Sequence, residues 1–311
     1  MQCEIDDFLF KFRDEKYARP ENKLICFSRP KDESYDKLFS KFYITAKVHK
    51  RPWKTRPVVP TCGTFWHGLS RWADVYLQEL KQFCPSYLRD SYQLLEELSN
   101  IGTLPEGTMM FTMDTVSMYT NIDANHGLKI LEQFIGKFRD DLPIFWPTEL
   151  FLMAMTIIMR NNCFEFGPSM LEQLCGTTMG TPCACMYATV YYAFHEISVL
   201  LSKYKEHLIL YRRLIDDGFG LWHHRDDPEA WGRFCADVDN FTGSKLKWEI
   251  DKLSREVNFL DLTIKINDLN QIETRTYQKP MNLYLYIPQA SAHPKAVYRG
   301  MIQDKVRQYK L

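Results

Sequence analysis

Residues 208–222 read LILYRRLIDDGFGLW. Two runs of β-branched, aromatic and other apolar residues flank a tight centre, Asp216-Asp217-Gly218. That pattern predicts a β-hairpin with an acidic pair at its tip. Adjacent carboxylates repel, and a tip held between buried strands gains nothing from two of them. A divalent cation removes the conflict, because hard cations take carboxylate oxygen. A solvated turn is the plain alternative, since Asp is a common turn residue.

Upstream, residues 109–122 read MMFTMDTVSMYTNI. The apolar start predicts a strand ending near Asp114, which opens toward a helix capped by Asn125. Asp114 is either a strand-end turn residue or a third ligand beside the acidic pair. Residues 173–185, QLCGTTMGTPCAC, place two glycines and small side chains before a long helix over 182–203. Such a loop lets a flat ligand approach the backbone, or simply starts the helix. It lacks the Gly-Lys-Ser/Thr ending of a phosphate-cradling loop. Residues 41–60 carry six Lys or Arg between Lys41 and Arg56 with no acid, interleaved with Phe42, Tyr43 and Trp53. Prolines divide them into strand-like pieces at 42–48 and 56–59. Basic and aromatic residues together suit phosphate contact and base stacking; lysines that keep an edge strand soluble give the same pattern.

The remaining periodicities predict helices over 69–83, 91–98, 147–160 and 227–241, and a short hairpin around Gly167-Pro168. Strands are predicted over 245–251, 257–266 and 272–278. The class is therefore α+β. With 311 residues the chain can bury a full core. Its 39 basic and 39 acidic residues balance, so only local clusters bear on a nucleic-acid partner. The apolar run 151–159 is too short for a bilayer, where about 20 residues are needed. No signal peptide is visible. The nine cysteines are scattered without a CxxC pair, which predicts reduced thiols and no zinc site. The expected setting is intracellular and nuclear, with no membrane.

Taken in order, these motifs resemble a reverse transcriptase of the right-hand polymerase fold, and in particular Penelope-like retroelement reverse transcriptases. The residues that carry the resemblance are Ala46-Lys47-Val48-His49-Lys50 with Arg56-Pro57-Val58-Val59, Asp114 through Tyr119-Thr120-Asn121-Ile122, and the loop from Gly176 to Pro182. Arg213-Leu214-Ile215-Asp216-Asp217, Phe259-Leu260-Asp261, Gln278-Lys279-Pro280 and Ser291-Ala292-His293-Pro294 complete it. The likeness runs from about residue 41 to 302. It implies fingers within 1–108, a palm over 109–270 with a finger insertion near 125–172, and a palm end and start of thumb over 271–311. The thumb is expected to be largely absent.

Residue by residue, the resemblance implies Asp114, Asp216 and Asp217 as catalytic metal ligands for Mg²⁺, or Mn²⁺. Lys50 and Arg56 would face the triphosphate. Tyr119 would screen the sugar 2′ position. Gln173 and Gly180 would lie at the nascent base pair. Lys47, Gly176, Thr177, Met179, Thr181, Phe259, Leu260 and Lys279 would touch template or primer. The partners implied are an RNA template, a DNA or RNA primer, dNTPs and a separate endonuclease domain outside this chain. The reaction implied is two-metal nucleotidyl transfer. Leu214 stands where the family has an aromatic, Gly218 where a bulky apolar residue is common, and Cys185 where Pro is usual. Those departures motivate a second reading, a domesticated, inactive nucleic-acid-binding module. A metal-dependent nuclease is a third.

Overall fold

Each long apolar periodicity folds into the expected kind of element, and what the sequence left open is their pairing. The computed structural model describes residues 8, 39–47, 52–62, 64, 67–278, 287–288, 290–291 and 295–308. Strands β1 (Ser40–Lys41), β2 (Tyr43–Lys47) and β3 (Lys54–Val58) precede helices α1 (His67–Leu80) and α2 (Ser91–Ser99). β4 (Thr108–Thr115) leads through α3 (Met118–Asn121) to α4 (Ala124–Lys137) and α5 (Thr148–Arg160), then to β5 (Cys163–Phe166) and β6 (Ser169–Glu172). α6 (Ala184–His195) runs on as a π-helical turn, Glu196–Leu200. β7 (Leu208–Leu214), β8 (Asp217–His223), α7 (Ala230–Asp239), β9 (Trp248–Ile250), β10 (Glu256–Phe259), β11 (Leu262–Ile266), β12 (Ile272–Thr276) and α8 (Lys295–Gln308) follow.

The central sheet is four-stranded and antiparallel, in the order β7-β8-β4-β9. Side chains alternate across it, so it has two buried faces. Phe111, Met113, Tyr211 and Trp222 join a core built with helices α1, α4, α5 and α6. Met110, Phe219 and Leu221 point the other way, into a second core with Leu94 and Leu98 of α2 and Ile264 of β11. Both faces are thus sealed, and each fully buried large apolar side chain contributes about 1.5–3 kcal/mol. β10-β11-β12 form a second antiparallel sheet, and β2-β3 a free hairpin. The small sheet β1-β5-β6 contains a parallel pair, β1 with β5.

Three local expectations change. α4 is capped by Asp123, whose carboxylate accepts from the His126 amide at 3.0 Å, and not by Asn125, which lies inside the helix. Pro147 is the N-cap of α5 and not its first helical residue. The single strand expected over 257–266 is a hairpin, β10 and β11, turning at Leu260-Asp261. Losing one helix cap costs about 1 kcal/mol, so Asp123→Ala is expected to lower the urea-unfolding free energy by about that much. An unchanged midpoint would show that water replaces the cap.

Candidate active site

The hairpin tip differs from its sequence reading in register. Leu214 pairs with Asp217, so the two-residue turn is Ile215-Asp216, and Asp217 and Gly218 already belong to β8. Ile215 takes φ 58°, a conformation costly for a β-branched residue. Asp216 stays at negative φ, which makes the turn of the II′ kind. Its carbonyl accepts from the Thr115 amide at 3.0 Å and from Thr115 Oγ1 at 3.1 Å, tying the tip to the end of β4. The β10-β11 turn repeats this geometry: Leu260 has φ 54°, and the Asp261 carbonyl accepts from the Tyr277 amide at 2.7 Å.

The glycines of β8 are fixed by packing. A Cβ on Gly218 would lie 2.6 Å from Met113 Cγ, and one on Gly220 would lie 2.3 Å from the Phe111 ring. These are cross-strand partners, Met113 with Gly218 and Phe111 with Gly220. The departure at Gly218 therefore follows from a large side chain on β4.

Asp114 pairs directly with Asp217 on one side and with Glu249 of β9 on the other. Cross-strand partners share a face, so three acidic residues form a row across β8, β4 and β9. Asp114 and Glu249 are exposed, and Asp216 and Asp217 half-buried. Among the described residues, no group of three or more His, Cys, Asp or Glu side chains is arranged to hold a metal ion. The donor chemistry itself fits a divalent cation, because hard carboxylate oxygens on facing strands are what such ions bind. Glu249 escaped the sequence reading. It stands in a predicted strand, but only the long-range register sets it beside Asp114.

The loop 176–181 binds together elements distant in sequence. Gly176 has φ 83°, and a Cβ there would meet Tyr119 O at 2.4 Å and Thr120 Cα at 2.5 Å. The Thr177 amide donates to the Tyr119 carbonyl at 2.6 Å, and the Val59 amide to the Met179 carbonyl at 3.0 Å. Gly180, at φ 120°, packs on the Val59-Pro60 backbone. The loop thus joins the base of the β2-β3 hairpin to the turn after β4. Tyr119 is half-buried, and its hydroxyl lies 3.3 Å from Cys185 Sγ. Burial raises its phenol above the ordinary value, helped by Cys185 and by the charge of Asp216.

Other predicted residues fall unevenly. Lys47, Lys54 and Arg56 lie on one face of the β2-β3 hairpin, because Lys47 pairs with Lys54 and Thr45 with Arg56. Exposed Tyr43 shares that face, and Trp53, also exposed, precedes β3. Met179 is half-buried and Gly180 exposed. Thr177 and Thr181 are buried, and Thr181 bonds Thr178. Gln173 spends its amide on the Cys175 carbonyl at 2.8 Å. Phe259 is buried against Phe219, with ring centroids 5.5 Å apart, so only Leu260 of that pair stands at the turn. Lys50 and Lys279 lie outside the described residues.

No family model and no curated protein sequence matches the chain. Solved structures do. The apo telomerase of Candida tropicalis, truncated from its C-terminal domain, is 11% identical over 79% of this chain and 56% of that one, with TM-score 0.55. Candida albicans telomerase in complex with a TWJ fragment of telomeric RNA is 11% identical over 77% of this chain and 47% of that one, with TM-score 0.54. The BmCPV RNA-dependent RNA polymerase at its elongation state is 12% identical over 84% of this chain and 23% of that one, with TM-score 0.50. The chain has a polymerase fold. It spans about half the length of the telomerase structures it matches. Within this polymerase fold, no helix among the described residues is long and apolar enough to cross a membrane.

Proposed function

We propose that the chain is the catalytic core of an RNA-directed DNA polymerase, of the kind found in Penelope-like retroelements. The observation that carries the reading is the register of Asp114 with Asp217 beside the Asp216 turn. In this reading 109–270 form the palm, with an insertion near 125–172, the preceding residues belong to the fingers, and 271–311 end the palm and begin the thumb. An RNA partner is carried over from the telomerase solved with an RNA fragment.

Asp114, Asp216 and Asp217 are the residues that would hold divalent ions, Mg²⁺ or Mn²⁺. Such ions, when bound, make a primer 3′-hydroxyl a better nucleophile and offset charge on the leaving pyrophosphate. The protein's own share is placement. Lys47 and Arg56 offer cations to phosphate oxygens from one face of a hairpin. The 176–181 loop, pinned at both ends, gives a fixed floor for the template and nascent pair. Tyr119 presents a neutral ring beside Asp216, where a ribose 2′-hydroxyl would collide with it.

The test is primer extension on an RNA template with Mg²⁺ and dNTPs. Wild type is expected to extend. Tyr119→Ala is expected to admit ribonucleotides roughly 10–100-fold better, the range that one removed clash of this size gives. Unaltered sugar discrimination in that variant would take Tyr119 out of the gate. The departures at Leu214 and Cys185 motivate one competing reading, a binding module without catalysis. Tight, salt-sensitive template binding with no dNTP incorporation would establish it.

A further inference from the structure

Arg213 lies on β7, two residues before Ile215, and its side chain is wholly buried. Nε and Nη2 donate to the two oxygens of Glu196 at 2.6 and 2.9 Å, and that carboxylate is equally buried. Nη2 also donates to the Thr189 carbonyl of α6 at 2.9 Å, and Nη1 to the Ile215 carbonyl at 2.7 Å. The guanidinium stands over the Tyr192 ring, 5.2 Å from its centroid. Glu196 accepts further from Ser86 Oγ at 2.5 Å and Tyr211 Oη at 2.9 Å. The Arg213 backbone is held as well: its amide donates to Ser86 O at 2.7 Å, and its carbonyl accepts from the Leu88 amide at 2.9 Å.

Stability does not account for this cluster. Removing two charges from water is expensive, and a well-packed apolar pair of similar volume is often as stable or more so. What no apolar pair supplies is a donor aimed at the Ile215 carbonyl. That residue occupies the left-handed region without being glycine, and such a conformation persists only where its surroundings over-determine it. Glu196 also opens the π turn that closes α6, and π turns are common at functional positions. The same helix begins just after the loop packed on Tyr119, so one rigid element touches both halves of the site.

We propose that the buried Arg213–Glu196 pair is a positioning device that fixes the Ile215-Asp216 turn against the end of β4. It rests on the polymerase reading for its purpose, but not for its geometry. Arg213 is a positioning residue, and touches neither nucleotide nor primer.

The decisive variant is the double substitution Arg213→Met/Glu196→Gln, which removes both charges at nearly constant volume. Arg213→Met alone leaves the Glu196 charge unpaired and is expected to unfold far more readily. The double variant is expected to recover the wild-type unfolding midpoint. Amide hydrogen exchange over 208–222 should nevertheless remain at least about tenfold faster than in wild type, with exchange elsewhere unchanged. Its kcat for primer extension should fall about 10–100-fold with unaltered primer–template affinity. Arg213→Lys keeps the charge but cannot reach all the acceptors, and should show the same split if the double variant is unstable. Wild-type exchange at the turn in a folded variant overturns the proposal. If wild type extends no primer, the polymerase reading fails and the exchange measurement still decides the positioning role.

Discussion

Asp114→Asn is expected to leave the fold intact and to abolish primer extension. Asp114 is exposed at the open end of β4, and the amide matches the carboxylate in size. Exposed substitutions of that kind usually stay within about 0.5 kcal/mol, so the unfolding midpoint should barely move. Activity should fall steeply. In the proposed mechanism the residue provides a charged oxygen donor facing Asp217, and an amide oxygen is a far weaker ligand for a hard cation. Several kcal/mol of transition-state stabilisation then depend on it, and roughly 1.4 kcal/mol is tenfold in rate, giving a loss of about 10³-fold or more. Retention of a tenth of the wild-type rate in a folded Asp114→Asn protein would falsify its assignment. Asp216→Ala is expected to behave in the same way.

The second large effect belongs to Gly176. Its φ of 83° disfavours any side chain, and a Cβ would press on backbone atoms of Tyr119 and Thr120, which cannot rotate away. The conformational cost is about 1–2 kcal/mol, the overlap about 1–3 kcal/mol. The 2.6 Å bond from the Thr177 amide to the Tyr119 carbonyl would be lost with the shift. Gly176→Ala is thus expected to cost on the order of 3 kcal/mol in urea unfolding, and to impair extension by displacing Tyr119. Gly107→Ala is the control, because Gly107 has φ 80° with open space around its Cβ position. It should show the conformational cost alone and full activity. Equal losses in the two variants would mean that the loop is not packed on Tyr119 in solution.

The resemblance drawn from ordered motifs anticipated a polymerase fold, and the structural neighbours share that fold at only 11% sequence identity. Helix α5 shows how much was legible locally: its unbroken apolar surface predicts deep burial, and Phe151, Ala154 and Met155 are completely buried. The two hairpin turns show the opposite. Asp-Asp-Gly carries every local sign of a turn, yet the chain reverses one residue earlier, at Ile215-Asp216. Leu260-Asp261 carries no such sign, and the chain reverses there too. Arg213 entered the sequence reading only as part of the motif around the acidic pair, and Glu196 gave no signal, because each alone reads as an ordinary charged residue and only their meeting makes burial tolerable.

By itself, the amino-acid sequence determined the kinds of element and their order, since period and turn chemistry act over a few residues. Tertiary structure alone decided the long-range register: which distant strands lie side by side, where Gly218 must be small for Met113, and that Asp114 faces both Asp217 and Glu249. The physical reason is range. Helix and strand preferences are set by neighbours along the chain, whereas Thr115 and Asp216, 101 positions apart, meet only when two cores close on opposite faces of one sheet.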